Sequence, residues 1–168
     1  MTRNITRWLL VGLMCLALWP GAARAQSDAL KEAFRQGVAL YKAGRYGEAL
    51  PFTRSALELG ERRFGPKHPG TAKFLNNLAE LYHTQGRYAD AEPLYKRALA
   101  IYEKALGPDH PDVGLILSNL SELYRSQGRH AAAKPLYERS LEILWRSGRK
   151  SVARSASARH SASLPGLL

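Results

Sequence analysis

The segment Leu75-Asn-Asn-Leu-Ala-Glu-Leu-Tyr82 returns as Leu117-Ser-Asn-Leu-Ser-Glu-Leu-Tyr124, an offset of 42 residues. Gln85-Gly-Arg87 returns as Gln127-Gly-Arg129, and Pro93-Leu-Tyr95 as Pro135-Leu-Tyr137, at the same offset. A weaker copy lies upstream in phase: Gly44-Arg45-Tyr46 aligns with Gly86-Arg87-Tyr88, Pro51 with Pro93, and Ala56-Leu57 with Ala98-Leu99. The linker repeats too, as Gly65-Pro-Lys-His-Pro69 and Gly107-Pro-Asp-His-Pro111. A fixed period of this length means stacked copies of one supersecondary unit, none of which can bury its apolar face alone. That constraint precedes every other reading of the chain.

Within a copy the apolar residues follow helical spacing. Leu75, Leu78, Ala79 and Tyr82 form the i, i+3, i+4, i+7 stripe of one buried face. Gly86 suits a left-handed helix cap, and a second stripe then follows: Ala91, Leu94, Tyr95, Ala98, Leu99 and Tyr102. It stops at Gly107-Pro108, and Pro111 with Asp112 suits the first turn of the next helix. Pro51, Pro93 and Pro135 fall about one turn into each second helix, where a missing N–H is expected to cost little. Small residues at Ala79, Ala91 and Ala98, echoed by Ala49, Ala56 and Ala133, mark where paired helices approach closely. The tyrosines share this spacing and read as core packing in preference to a base-stacking platform.

The first 25 residues have a different character. Arg3 and Arg7 stand without an acid, the apolar run Trp8–Trp19 follows, then Pro20-Gly21 and the small-residue pattern Ala23-Arg-Ala25. That order is a secretory signal peptide, expected to be removed after Ala25. The run is too short for the roughly 20 residues that span a bilayer. Export implies a periplasmic location. Removal would take Cys15, the sole cysteine, and leave a mature chain without thiol chemistry. It would also take Arg3, Arg7 and Arg24, lowering the net charge from +11 to +8. Residues 144–168 hold five basic residues and no acid, so the charge belongs to the ends rather than to a basic domain face.

The pattern resembles the tetratricopeptide repeat. Small residues at Gly37, Ala79 and Ser121, glycine at 44, 86 and 128, Tyr46 and Tyr88, and alanine at 49, 91 and 133 match it. The 42-residue period and the Gly-Pro-x-His-Pro linkers are similar to the longer variant of kinesin light chains, which many bacterial proteins also carry. The resemblance implies an all-α, right-handed α-solenoid of three helix-turn-helix repeats, about 28–67, 70–109 and 112–146 within 26–146. It also implies peptide binding in a concave groove and no catalysis by the repeat itself. His130 in place of Tyr, Ser121 in place of a small apolar residue and Ser140 in place of Ala98 mark the third copy as a degenerate terminal one.

Groove residues follow from the face opposite the packing stripe. Asn77, Glu80 and Thr84, with His83 beside them, correspond to Asn119, Glu122, Ser126 and Arg125. The first copy places Arg35, Val38 and Lys42 there. By the resemblance, Asn77 and Asn119 would hydrogen-bond the backbone of an extended ligand. An amide carries both a donor and an acceptor, which suits a peptide group. Arg35, Lys42 and Arg125 could attract an acidic segment or a C-terminal carboxylate. His68 and His110 precede prolines, one per linker, without further ligands around them, so cap or packing roles are expected rather than metal binding. No Ser/His/Asp order, phosphate loop or paired-carboxylate signature stands out, so neither an enzyme nor a cofactor is implied.

Repeat register is lost after Trp145. A Ser/Ala/Arg-rich stretch, 147–168, stands where a third Gly-Pro-x-His-Pro is expected, and its composition predicts disorder. Three readings exist for it: a solvated end, a contact to an anionic surface (membrane, cell wall polymer or nucleic acid), or the product of truncation or a frameshift in a longer repeat protein. Leu141, Leu144 and Trp145 then lack a following helix, and each Leu-sized group is worth ~1.5–3 kcal/mol when buried. A homodimer through this end, or docking of the tail, is the expected response. The sequence therefore points to a secreted interaction scaffold whose partner is an unidentified protein or peptide.

Overall fold

The computed structural model describes the backbone of residues 20–162 and the side chains of residues 24–148. Six α-helices account for it: α1 Pro20–Lys42, α2 Tyr46–Phe64, α3 Pro69–Thr84, α4 Tyr88–Leu106, α5 Pro111–Ser126 and α6 His130–Ala162. The chain divides into two compact units, residues 1–66 and 67–168. In the first, α1 and α2 pack as a hairpin. In the second, α3 packs on α4 and α5 on α6, and α5 also contacts α4 and α3. No strand occurs among the described residues, and none of their helices is long and apolar enough to cross a membrane. The expected leader, including Cys15, lies outside the described residues apart from its last few, Pro20–Ala25, which open α1.

One turn closes all three hairpins. Gly44, Gly86 and Gly128 have φ of 72°, 71° and 73°, where a side chain would be strained. In each turn the glycine N–H reaches back three residues and the following arginine N–H reaches back five. Gly86 N donates to His83 O and Arg87 N to Tyr82 O, both at 2.9 Å. This double closure is the Schellman arrangement, and it satisfies carbonyls the helix end would leave bare. The linkers close differently. Gly65 and Gly107 end the second helices, and His68 and His110 cap the next ones, their Nδ1 atoms accepting from Gly70 N at 3.0 Å and Asp112 N at 3.2 Å. Capping is thus what the linker histidines do.

The expected stripes are buried. Leu75, Leu78, Ala79 and Tyr82 of α3 and Ala91, Tyr95, Ala98 and Tyr102 of α4 are all buried where the two helices pack, while Leu94 and Leu99 are only half-buried. The substitutions in the third copy are compensated rather than merely tolerated. Ser121 Oγ donates to Ala133 O at 2.9 Å and Ser140 Oγ to Gly114 O at 2.7 Å, so each buried hydroxyl has an acceptor. Gly114 allows that approach, since a Cβ there would lie 3.1 Å from Leu144 Cγ and 3.2 Å from Ile143 Cγ2.

Two features differ from the sequence expectation. The first intrahelical bond of α2 runs from Ala49 N to Arg45 O, so Pro51, two residues further on, falls after the donors that lack partners. Each proline therefore does remove a helix bond, freeing the carbonyl of Gly47, Ala89 or Ala131. All three of those residues are exposed, and water can take the bond. At the other end, helical backbone continues through residues 147–162, where composition predicts disorder. Alanine and arginine are strong helix formers, and neither Gly nor Pro interrupts the sequence from Arg149 to Leu164.

Candidate functional site

The site residues expected from the sequence divide between the two units. Arg35 and Lys42 lie on α1. Arg35 is committed to Glu32 through three contacts of 2.7–3.1 Å, and Lys42 is exposed in the last turn. Asn77, Glu80 and His83 on α3, and Asn119, Glu122 and Arg125 on α5, share the second unit and are described there.

In that unit α3 and α5 are bridged by polar side chains. Asn119 Nδ2 donates to Asn76 Oδ1 at 2.9 Å, so the recurrent asparagine is held by its neighbour on the preceding first helix. One N–H and the carbonyl oxygen of Asn119 remain for a further partner. Two turns along, His83 Nε2 lies 3.1 Å from Ser126 Oγ, with its ring tilted against Tyr88 at 5.8 Å. Asn77 and Glu80 are half-buried on the same stretch of α3. Arg125 donates to Glu122 at 2.7 Å, and this bond holds the Glu122 carboxyl below the usual carboxylate range although burial opposes it. The structure therefore joins Asn119 to α3 and pairs Glu122 with Arg125 within α5.

Sequence reasoning passed over Asn76, the residue that fixes Asn119. Its position between the packing stripe and the solvent face gives no hint, because the contact is made across 43 residues. It also passed over Glu92. That carboxylate receives Lys96 at 2.7 Å, Tyr124 Oη at 2.9 Å and Arg129 Nη1 at 2.9 Å, tying α4 to α5 and to the turn that follows it. The bond from Lys96, then those from Tyr124 and Arg129, hold Glu92 below its ordinary range although burial opposes them. Arg129 further stacks over the Tyr124 ring at 4.0 Å, as Arg87 does over Tyr82 at 4.4 Å.

Glu122 and Arg125 also border an open depression of about 590 Å³ between α5 and α6, with Ser118, His130, Lys134 and Tyr137 on its other sides. Among the described residues no three His, Cys, Asp or Glu side chains converge as metal ligands would.

Helical hairpins each closed by the same glycine turn, and joined by the same proline linker, define an all-α helical-repeat protein. The family model of the tetratricopeptide repeat matches residues 29–104 and 72–144, so the chain belongs to that family. Solved structures agree on the fold. The tetratricopeptide domain of Arabidopsis FLU superposes with a TM-score of 0.63 at 18% identity over 71% of this chain and 97% of that one. BtubC (BKLC) from P. vanneervenii gives 0.62 at 20% over 83% of this chain and 50% of its own. A kinesin-light-chain-type protein of nearly identical repeats from Podosopora anserina gives 0.60 at 22% over 77% of this chain and 58% of its own. The chain thus spans only about half the length of the last two. No curated protein matches it by sequence. Repeats of this family generally mediate protein–protein interaction.

Proposed function

We propose that the chain is a non-catalytic scaffold that holds an extended peptide or partner segment along the face shared by α3 and α5. The Asn76–Asn119 bond supports this reading most directly. It orients an amide whose remaining donor and acceptor match one peptide unit, so less freedom is lost when a ligand binds. Asn77, at the equivalent position one repeat earlier, would supply a second such contact. Glu80, His83, Glu122 and Arg125 flank the two, and Arg35 and Lys42 carry the corresponding positions on α1. Because Arg125 is paired with Glu122, an acidic ligand has to compete for it, and amide recognition takes precedence over charge.

Peptides selected from a random library against the intact chain test the idea. Asn119→Ala and Asn77→Ala should each weaken the selected peptides by roughly tenfold, about the worth of a buried hydrogen bond. Peptides indifferent to both would overturn it. We further propose export to the periplasm, on the basic, apolar and small-residue order of residues 1–25. A cell-fractionation experiment with mass measurement of the N-terminus checks it: a cytoplasmic chain beginning at Met1 would count against export.

A further inference from the structure

Successive hairpins of the second unit present equivalent faces, and α5 covers the first of them. On α3–α4, Asn76 accepts from Asn119, His83 meets Ser126, and Glu92 accepts from Tyr124 and Arg129. Tyr95, in the same face, is 1% exposed. Adding 42 to each number gives Ser118, Arg125, Lys134 and Tyr137, which border the open depression of α5–α6. There Tyr137 is 51% exposed. The cover that α5 supplies to its predecessor shows which object fits: an amphipathic helix.

The chemistry of that helix follows from one reversal of sign. Where α4 carries Glu92, α6 carries Lys134, and where α4 carries Lys96, α6 carries Glu138. Glu92 is held by three donors. Lys134 meets Glu138 of its own helix at 3.9 Å, and its side chain is 78% exposed. Arg125 replaces His83 on the same face, although Glu122 already engages it. We propose that the α5–α6 face is a docking site for an amphipathic helix of a partner protein, one bearing a carboxylate where α5 is followed by Arg129.

A second copy of this chain fits the site poorly in the repeat register. Its α1 would bring Arg35, Lys42 and Arg45, the equivalents of Asn119, Ser126 and Arg129, against Ser118, Arg125 and Lys134. Its α5 would bring Arg129 itself against Lys134. Like charges placed together at an interface suppress the wrong partner. The reversal at Lys134 thus blocks continuation of the array by copies of itself while selecting an acidic helix. This face shares Glu122 and Arg125 with the α3–α5 peptide face, but Lys134 and Tyr137 belong to it alone, so variants there test it separately.

The test uses two stapled helical peptides spanning residues 110–129 of this chain, one unaltered and one with Arg129→Glu, titrated against the full-length protein. The acidic peptide should bind roughly tenfold more tightly, and Lys134→Glu in the protein should reverse the preference. Tyr137→Ser should weaken the acidic peptide, whereas Asn77→Ala should leave it unchanged. Equal binding of the two peptides, or a preference indifferent to Lys134→Glu, would overturn the proposal. So would self-association of the intact chain abolished by Tyr137→Asp, which would give the face to a second copy. Binding seen only after removal of residues 163–168 would give it to the chain's own end and would overturn the proposal equally.

Discussion

Tyr95 and Tyr137 hold the same place in successive hairpins, yet one is sealed and the other half open to solvent. Around them the chain has kept what each hairpin needs internally and changed what a neighbour would touch. Alanines 91 and 133 stay, and the glycine turns stay, because they serve the pairing of two helices. Glu92 has become Lys134 and His83 has become Arg125, because those positions face outward to whatever lies next. The difference separates two kinds of constraint that a repeat sequence superimposes: packing within a unit, and pairing between units.

Truncation of the two tyrosines should break this comparison if it is wrong. Tyr95→Ala removes a buried aromatic and is expected to cost ~3–5 kcal/mol, whereas Tyr137→Ala should cost less than about 1 kcal/mol. Urea denaturation with equal midpoints for the two variants would show the two faces to be alike. Next in size is Ala98→Leu, where close approach of α3 and α4 leaves no room and the cost should be about 1–3 kcal/mol. An unchanged melting temperature would contradict the packing assigned to that pair.

Glu92→Gln sharpens the polar half of the comparison. It should cost about 1 kcal/mol near neutral pH, and Lys134→Ala almost nothing, since its ion pair with Glu138 is exposed. The pH dependence carries a definite sign. Because folding lowers the Glu92 pKa, its contribution is complete above the unfolded carboxylate value of about 4.3 and is lost as pH falls through the lower folded value. Wild type and Glu92→Gln should therefore differ in stability at pH 7 and converge in acid. A gap that persists at low pH would mean the charge is irrelevant. Ser140→Ala should cost about 0.5–1.5 kcal/mol through loss of the bond to Gly114 O. A stabilised variant would show that serine there is a poor replacement for alanine.

The fold was legible because its causes are local. Leu75, Leu78, Ala79 and Tyr82 announce one helix face by spacing alone, and Gly86 and Gly107 announce its punctuation. The linker histidines were readable as caps for the same reason. The candidate site was only half legible. Asn119 stood out by recurrence, but its hydrogen bond to Asn76 did not, because that contact is made by the approach of two helices that no local pattern encodes. Glu92 was hidden more thoroughly: its donors come from α4, α5 and the turn beyond, and its replacement by Lys134 removes the periodicity that would have exposed it. The prolines show a third kind of failure, in which the position was right and the physical cost was assigned to the wrong donor.

The glycine turns carry a consequence for how such a chain changes over generations. The loop itself is closed by main-chain hydrogen bonds around a glycine, so the bend can form whatever side chains the two helices carry. A block cut at that bend can be duplicated, lost or exchanged by unequal recombination without damage to the joint. Length is therefore cheap to vary, and selection acts mainly on the few outward residues that decide what each terminal block will accept.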